Sequence, residues 1–289
     1  MSPLSGHRAS RAIWSSISTL GIVVAFAAVA PSALAGQPVP EEIRRERDEF
    51  GRWLKDAPTS PYRALLMQAI GSGITLGPAA ADIPLPGQGL ARIEERRGVP
   101  MLTVAGATQP MGRNRIVALG SHRIVAAGPA GRSVVVAYGE TAPRYRTPTY
   151  FSYRPAWRLL ANLAPPARPA TARVLAPDGI EAEATEAGTI TVPLPGGAVT
   201  LRVLRIPAAD GEESDLEIYF RDGTNDRGSY PAGRFVSLVP NPQGGFVLDF
   251  NRSRNPFCAY NTAYPCPAPW RGNTVPIAIP AGEQYDSNH

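Results

Sequence analysis

Short apolar runs alternate with turn residues through most of the chain beyond residue 71. The runs are rich in β-branched residues and are separated by Gly, Pro, Asn and Asp, a pattern typical of short strands joined by turns. It predicts strands at residues 101–104, 115–119, 123–126, 133–138, 172–175, 180–184, 189–193, 199–206, 216–221, 235–239, 246–250 and 275–279. Gly120, Ser121 and His122 predict a hairpin turn between the second and third of these. The pattern favours a mainly β, antiparallel fold, a sandwich or a barrel-like sheet, over βαβ units.

The segment before residue 71 has a different, helical periodicity. Residues 40–56 begin with Pro40, followed by Glu41 and Glu42, which suit the positive end of a helix dipole. Apolar side chains at positions 43, 50, 53 and 54 fall on one face of this helix. Ser60 and Pro61 form a cap signal, and residues 62–70 are predicted as a second short helix that ends at Gly71. The expected organisation is an N-terminal helical segment at 36–71, a small β region at 72–140 and a larger β region at 141–289.

The first 35 residues have the three-part pattern of a secretory signal peptide. Arg8 and Arg11 precede an uncharged stretch at residues 12–30, and the small residues Ala33 and Ala35 stand before Gly36. We expect cleavage between Ala35 and Gly36 and a secreted or periplasmic protein with no membrane span after cleavage. The alternative, an uncleaved anchor, needs about 20 unbroken apolar residues, whereas this run contains Ser and Gly.

Charge and composition exclude some classes of function. The formal net charge is +5, which is too small to predict a nucleic-acid partner for an exported protein of this length. The 31 prolines and 28 glycines predict many turns and few long helices. We expect the partner to be an unknown small molecule or a component of the cell envelope.

Cys258 and Cys266 are the only cysteines in the chain. In an oxidising compartment such a close pair predicts a disulfide. A redox pair favours the Cys-x-x-Cys spacing, and a zinc site needs further Cys or His ligands. Neither pattern is present in the sequence, which favours the structural disulfide.

Motifs of the common catalytic and cofactor classes are missing from the sequence. Beyond the signal peptide the histidines are His122, in a predicted turn, and His289 at the end of the chain, and no Gly-x-Ser-x-Gly elbow occurs. The acidic turns that begin at Asp222 and Asp249 lack the sixth-position Gly and twelfth-position Glu of a calcium loop. We expect no metal and no cofactor. An aromatic and basic stretch at residues 144–158 is interpreted as core rings rimmed by arginines, the alternative being stacking on bases or sugars.

The densest polar motifs lie between residues 221 and 283. They are Arg221-Asp222-Gly223-Thr224, residues 228–235, Asp249-Phe250-Asn251-Arg252, residues 255–260, Cys266-Pro267 and Ala281-Gly282-Glu283. Together they resemble the signature of the domain of unknown function 1684 family. The chain departs from that signature at Ser229, where the family often has Thr, and at Ser253 and Arg254, where it commonly has a small residue and an aromatic. The resemblance implies kinship and supplies no reaction.

These motifs also define the candidate site. The candidate ligand-binding residues are Arg221, Asp222, Tyr230, Arg234, Asp249, Asn251, Asn255 and Tyr260. One interpretation is a buried arginine–carboxylate network that fixes the loop carrying the cysteines. The other is a pocket in which an arginine binds an anion while Asp222 or Asp249 acts as a base.

Two functions follow from these interpretations. We expect a non-catalytic envelope or periplasmic module that binds a small ligand or partner. The alternative is a carboxylate-dependent hydrolase, acting on a carbohydrate, that uses Asp222 and Asp249. Carboxyl groups facing an open cleft would favour the hydrolase, and carboxyl groups held in the interior by arginine and backbone N–H groups would favour the structural network.

Overall fold

The computed structural model describes residues 37–207, 214–268 and 270–286. The predicted signal peptide, its cleavage site and His289 lie outside these residues. Helix α1 spans Glu41–Asp56, with Pro40 at its N-cap, and buries Ile43 and Leu54, so the first predicted helix is confirmed. In the described part of the chain, no helix is long and apolar enough to span a membrane.

The second predicted helix is wrong. The Ser60 hydroxyl accepts a hydrogen bond from the Tyr62 amide at 3.3 Å, but the cap opens only a 3₁₀ turn, Pro61–Arg63. The chain then enters strand β1, Ala64–Ala69, which pairs antiparallel with residues 134–138. A short apolar run fits a helix or a strand equally well by periodicity, and pairing with a distant strand decides between them.

Two sheets form a small sandwich in the first half of the described chain. One has the order β1-β9-β8-β7 and the other the order β3-β2-β4-β5-β6. Their further strands are β2 Ile74–Gly77, β3 Ile83–Pro84, β4 Ala91–Arg96, β5 Val99–Val104, β6 Ala107–Pro110, β7 Ile116–Leu119, β8 His122–Ala127 and β9 Val134–Tyr138. Leu119 pairs with His122 across the predicted hairpin turn, and Gly120 there has a φ of +57°. Leu76, Ile93, Ile124 and Val135 are among the fully buried side chains that fill the space between the sheets.

The second half forms an antiparallel sheet of eight strands that curls into a nearly closed barrel. The strands are β10 Arg158–Ala161, β11 Leu163–Ala164, β12 Thr171–Leu175, β13 Glu181–Leu194, β14 Gly197–Pro207, β15 Ser214–Phe220, β16 Arg234–Pro240 and β17 Phe246–Asp249. Ile190, Leu201, Ile218, Phe220 and Phe250 lie in its core. The predicted mainly β, antiparallel class with a short N-terminal helix is therefore confirmed.

Several strand boundaries differ from the predictions. The strands predicted at 180–184 and 189–193 are one long strand, β13, which bends at a register shift near Gly188. Strands β2, β3, β4, β6, β10 and β11 were not predicted. The strand predicted at 275–279 is wrong: the segment contains Pro276 and forms no strand, although Val275 and Ile277 make single backbone hydrogen bonds to Arg221 and Gly223. Proline cannot donate to a ladder, which disfavours a central strand.

The C-terminal segment joins the two β regions. After β17 the chain makes two 3₁₀ turns, Phe250–Arg252 and Phe257–Ala259, and then continues without regular strands. Tyr230, Cys258 and Tyr264 pack against Val136 and Tyr138 of β9 in a shared hydrophobic cluster. This packing brings residues 255–262 and 283–286 beside the start of β1 and the loop at 139–149, where a large cavity opens.

Candidate functional site

A cavity of about 1060 Å³ lies where the two β regions meet. We call it the Glu283 cavity. The 3₁₀ turn before β1, the loop at 139–149 and the C-terminal segments 255–262 and 283–286 form its walls. These four stretches of chain are mostly irregular in structure. Their side chains and backbone groups line the same cavity.

Glu283 is the polar centre of this cavity. The residue is 2% exposed, and its Oε2 accepts a hydrogen bond from the Asn255 amide at 2.9 Å. The Tyr260 hydroxyl lies 2.7 Å from Oε1 and 2.8 Å from Oε2. Tyr260 follows the second 3₁₀ turn, so this turn and the Glu283 segment are joined through the carboxyl group.

The approach of the Glu283 segment depends on Gly282. Gly282 has a φ of +78°, and a Cβ there would lie 2.7 Å from the carbonyl oxygens of Phe250 and Ser253. The Glu283 amide donates to the Ser253 carbonyl at 2.8 Å. A side chain at position 282 would push residue 282 away from the backbone at residues 250 and 253. Gly282 therefore allows the close approach that places the Glu283 carboxyl group in the interior.

Burial changes the acidity of the groups around Glu283. It raises the pKa of the Glu283 carboxyl to about 7, although hydrogen bonds from Asn255 and Tyr260 and the charge of Arg234 act in the opposite direction. Burial, followed by the nearby Glu283 charge, raises the pKa of the Tyr260 hydroxyl well above its ordinary value. At neutral pH the carboxyl group can therefore exist in either protonation state while the phenol stays protonated.

Asn255 carries an unpaired acceptor beside the same carboxyl group. The residue is 3% exposed, and its Nδ2 donates to the Gln284 carbonyl at 3.0 Å. Its Oδ1 is buried and has no hydrogen-bond partner within the described residues. An unpaired buried acceptor costs about 1–3 kcal/mol, and Asn255 lines both this cavity and a second one against helix α1.

Tyrosine rings form one wall of the cavity and arginines stand at its rim. The Tyr62 ring lies 5.6 Å from the Tyr260 ring and 5.5 Å from the Tyr145 ring, measured between centroids. Arg144 and Arg146 are exposed, and neither guanidinium makes an ion pair in the described part of the chain. The lining thus combines flat aromatic faces, free positive charge and the Glu283 carboxyl group.

The predicted residues Asp222 and Arg234 form a buried ion pair in the interior. Arg234 Nη2 lies 2.6 Å from Asp222 Oδ2, and both side chains are fully buried. Asp222 Oδ1 accepts from the amide and the hydroxyl of Thr224, each at 2.5 Å. Burial lowers the pKa of Arg234, and the Asp222 charge opposes that shift. The pair has the interior arrangement expected of a structural network.

Arg234 also positions the Glu283 segment. Its guanidinium donates to the carbonyls of Ile279 at 3.0 Å, Ala281, and Glu283 at 3.3 Å. One arginine therefore binds three alternate carbonyls in the stretch that ends at the cavity carboxyl group. The predicted network thus supports the cavity floor without lining it.

Asp249 and Asn251 form a second buried hydrogen-bond network. Asp249 Oδ1 accepts from the Asn251 amide at 3.0 Å and from Asn251 Nδ2 at 2.8 Å. The Asn251 amide group exchanges two hydrogen bonds with the Arg154 backbone. Asp249 is 4% exposed and does not line the Glu283 cavity, so its carboxyl group holds a turn against residue 154.

The remaining predicted residues are spread over three environments. Asn255 and Tyr260 lie in the Glu283 cavity. Arg221 is exposed, and its backbone bonds to Asn273 and Val275. Tyr230 packs edge-on against Tyr285, with centroids 4.8 Å apart.

The predicted disulfide is absent from the structure. Cys258 and Cys266 are both free thiols, although they lie close enough to interact with each other. The Tyr230 hydroxyl lies 3.3 Å from Cys266 Sγ, and burial raises the pKa of the Cys258 thiol to about 12. The sequence spacing of the two cysteines brings their thiols close together, but whether they are oxidised to a disulfide depends on the redox environment.

Several functional candidates were missed by the sequence interpretation. Glu283 ends the recognised motif but was given no role, Tyr62 was not considered for the site, and Tyr145 was considered only as part of the aromatic and basic stretch. The aromatic and basic stretch is divided: Tyr153 and Trp157 are buried, whereas Tyr145 lines the cavity. Among the described residues, no group of three or more His, Cys, Asp or Glu side chains is arranged to hold a metal ion.

Comparisons with known proteins give a family and no activity. Residues 144–284 match the model of a family described as "Protein of unknown function (DUF1684)", which confirms the resemblance inferred from the motifs. The solution NMR structure of an uncharacterized protein of Haloarcula marismortui is 29% identical, with 52% of this chain and 82% of that chain covered and a TM-score of 0.44. A search of curated proteins found no match.

Proposed function

We propose that this protein, whose residues 144–284 belong to the DUF1684 family, binds a small polar ligand in the Glu283 cavity. The observation that carries the proposal is the convergence of Glu283, Tyr260 and Asn255 at one buried point of a cavity of about 1060 Å³. Binding sites for small molecules are concave and combine aromatic walls with a few placed polar groups. The module is non-catalytic in this proposal.

The lining favours a ligand with both hydrogen-bond donors and negative charge. Asn255 Oδ1 needs a donor, and an ionised Glu283 would accept a second one. Arg144 and Arg146 at the rim attract an anionic group, and the tyrosine faces suit a flat ring or the apolar face of a sugar. A hydroxylated or aminated organic anion meets all of these demands.

A second candidate function is supported by the acidity of Glu283. A buried carboxyl group with a pKa of about 7 is matched to general acid–base catalysis at neutral pH. In that case Glu283 exchanges a proton with the ligand, and Tyr260 holds the carboxyl group in position. The hydrolase based on Asp222 and Asp249 gains no support, because hydrogen bonds hold both carboxyl groups in the interior.

We further propose that the protein is exported to the envelope or beyond. The support is the order of positive, apolar and small residues in the first 35 positions. An exported binding module would meet its ligand or envelope partner outside the inner membrane.

A ligand screen by thermal shift tests the proposed function. A compound that binds only the folded state raises the apparent stability, so hits are compared between the wild type, Glu283→Gln and Tyr260→Phe. Exposed Glu49 on α1 supplies the matched control, Glu49→Gln. The proposal predicts hits that stabilise the wild type and the control but not Glu283→Gln. Hits that stabilise all four proteins equally would contradict it.

Whether the bound compound is converted to a product distinguishes an enzyme from a non-catalytic binding module. If Glu283 is a proton donor or acceptor in a reaction, a hit is converted to product by the wild type and Glu283→Gln loses that conversion. A hit that is bound and recovered unchanged identifies a binding module.

A further inference from the structure

A second cavity, of about 390 Å³, lies against helix α1 on another side of the C-terminal segment. We call it the Trp53 cavity. The apolar face of α1 contributes Phe50 and Trp53, and the second 3₁₀ turn contributes Phe257. The proposed function makes no use of this space.

Aromatic rings line one side of the Trp53 cavity. The rings of Phe50 and Trp53 are stacked with centroids 5.9 Å apart, and the Trp53 ring lies 5.7 Å from the Phe257 ring. All three side chains are only partly buried. The faces of such rings carry negative quadrupole density that attracts cations.

Carboxyl groups line the same cavity in excess over cations. Asp178, Asp215 and Glu217 are part of the lining, and Arg254 is the cation among the lining residues. Arg254 Nη2 already pairs with Glu217 Oε1 at 2.6 Å. Asp178 accepts a hydrogen bond from the Ile180 amide at 3.0 Å, but neither Asp178 nor Asp215 makes an ion pair in the described part of the chain, so both lack a positively charged partner.

Glu217 has a buried carboxyl oxygen that lacks a hydrogen-bond donor among the residues that the structure describes, which is a second, independent observation at this cavity. The residue is 2% exposed, and its Oε1 is satisfied by Arg254 and by the Ser237 hydroxyl at 2.8 Å. Its Oε2 is buried and has no hydrogen-bond partner within the described residues. A buried carboxylate oxygen without a donor is costly, and a donor bound in the cavity would supply the missing bond.

We propose that the Trp53 cavity binds a small organic cation, an ammonium group carried on an apolar body. The ring faces of Phe50, Trp53 and Phe257 would contact the apolar part and attract the charge, and the uncompensated carboxylates would neutralise it. A metal ion would instead require several oxygen ligands around one point, and an aromatic wall supplies none.

Isothermal titration calorimetry with tert-butylammonium, which has N–H donors on an apolar body, tests this proposal, and tert-butanol serves as the neutral probe of similar size. Titrations are made at pH 8, because burial raises the pKa of Asp178 to about 6 and this carboxyl group must be ionised. The wild type should bind tert-butylammonium saturably and tert-butanol much more weakly. Trp53→Ala should weaken binding by about tenfold, the effect of losing one favourable cation–aromatic contact.

Three further variants test whether the effect is specific to the Trp53 cavity, which shares the lining residue Asn255 with the Glu283 cavity. Glu217→Gln retains the size of the side chain and should also weaken tert-butylammonium binding, whereas Glu49→Gln, a charge change on the exposed part of α1, should not. Glu283→Gln should bind the cation normally. The proposal is overturned if the wild type gives no saturable heat, if tert-butanol binds equally well, or if Trp53→Ala and Glu217→Gln both bind like the wild type.

Discussion

The Tyr260 hydroxyl lies within 2.8 Å of both oxygens of the Glu283 carboxyl group. Both residues come from irregular segments after the last strand, 23 positions apart in the sequence. A hydroxyl has one proton to donate, so it can satisfy only one carboxylate oxygen at a time. The second oxygen accepts from the Asn255 amide, so hydrogen bonds hold both carboxyl oxygens at the wall of the cavity.

Glu283 should make the protein less stable as pH rises from about 4.5 to about 7. Its pKa is raised from the ordinary value of 4.5 to about 7 in the folded state, so the folded state binds more protons than the unfolded state in this window. The free energy of unfolding therefore falls as pH rises, by roughly 3 kcal/mol for this one group. Urea denaturation of wild type and Glu283→Gln across the window measures the effect.

The difference between the two proteins isolates Glu283, because other carboxyl groups also titrate in this range. The Asp178 carboxyl group, for example, has a pKa raised to about 6 by burial and contributes equally to both proteins. Parallel stability curves for wild type and Glu283→Gln would contradict the assignment of a raised pKa to Glu283.

Asp222→Asn should strongly destabilise the fold. The change leaves the fully buried Arg234 guanidinium without its countercharge, and breaking a buried pair by removing one partner typically costs about 3–5 kcal/mol. Chemical denaturation measures the loss. Asp226→Asn in the same loop is the matched control, because Asp226 is exposed and Asn tolerates its φ of +64°. A stable Asp222→Asn protein would mean that the network does not hold this part of the fold.

The sequence anticipated this network but not the cavity that it supports. The buried network of arginines and carboxylates was one of two interpretations of these motifs and named no single pair, and the structure forms the pair of Arg234 with Asp222. The contact between Tyr260 and Glu283 depends on how two irregular segments pack against the barrel, and no periodicity encodes that. Strand β4 was missed for a similar reason, because its charged residues at 94–96 hide the strand pattern, and β1 was taken for a helix because its short apolar run fits both.

Gly282→Ala should destabilise the protein by more than an ordinary glycine substitution. Gly282 has a φ of +78°, and a Cβ there would meet two carbonyl oxygens and the Ser253 side chain at 2.7 Å. Gly87 has a φ of +80° with nothing within 4 Å of its Cβ position, so Gly87→Ala isolates the backbone cost of about 1 kcal/mol. Thermal denaturation should give a clearly larger loss for Gly282→Ala. Equal losses would show that the close approach of residue 282 does not matter.

Mass spectrometry of the exported protein tests the expectation drawn from the first 35 residues. Expression with the native N-terminus in a bacterium with a periplasm should give a product that begins at Gly36. The same spectra, taken with and without reduction, report whether Cys258 and Cys266 are free thiols, as they are in the structure. A product that keeps residues 1–35 would contradict the predicted cleavage.

The most direct measurement for the cavity is a ¹³C NMR titration of the Glu283 carboxyl carbon, with and without a stabilising compound from the ligand screen. Glu283→Gln, which lacks the signal, assigns the resonance. The proposed binding site predicts a carboxyl group that titrates near pH 7 and whose pKa moves when the compound binds. A Glu283 carboxyl group that titrates at its ordinary value of 4.5, and does so whether or not the compound is present, would contradict the account.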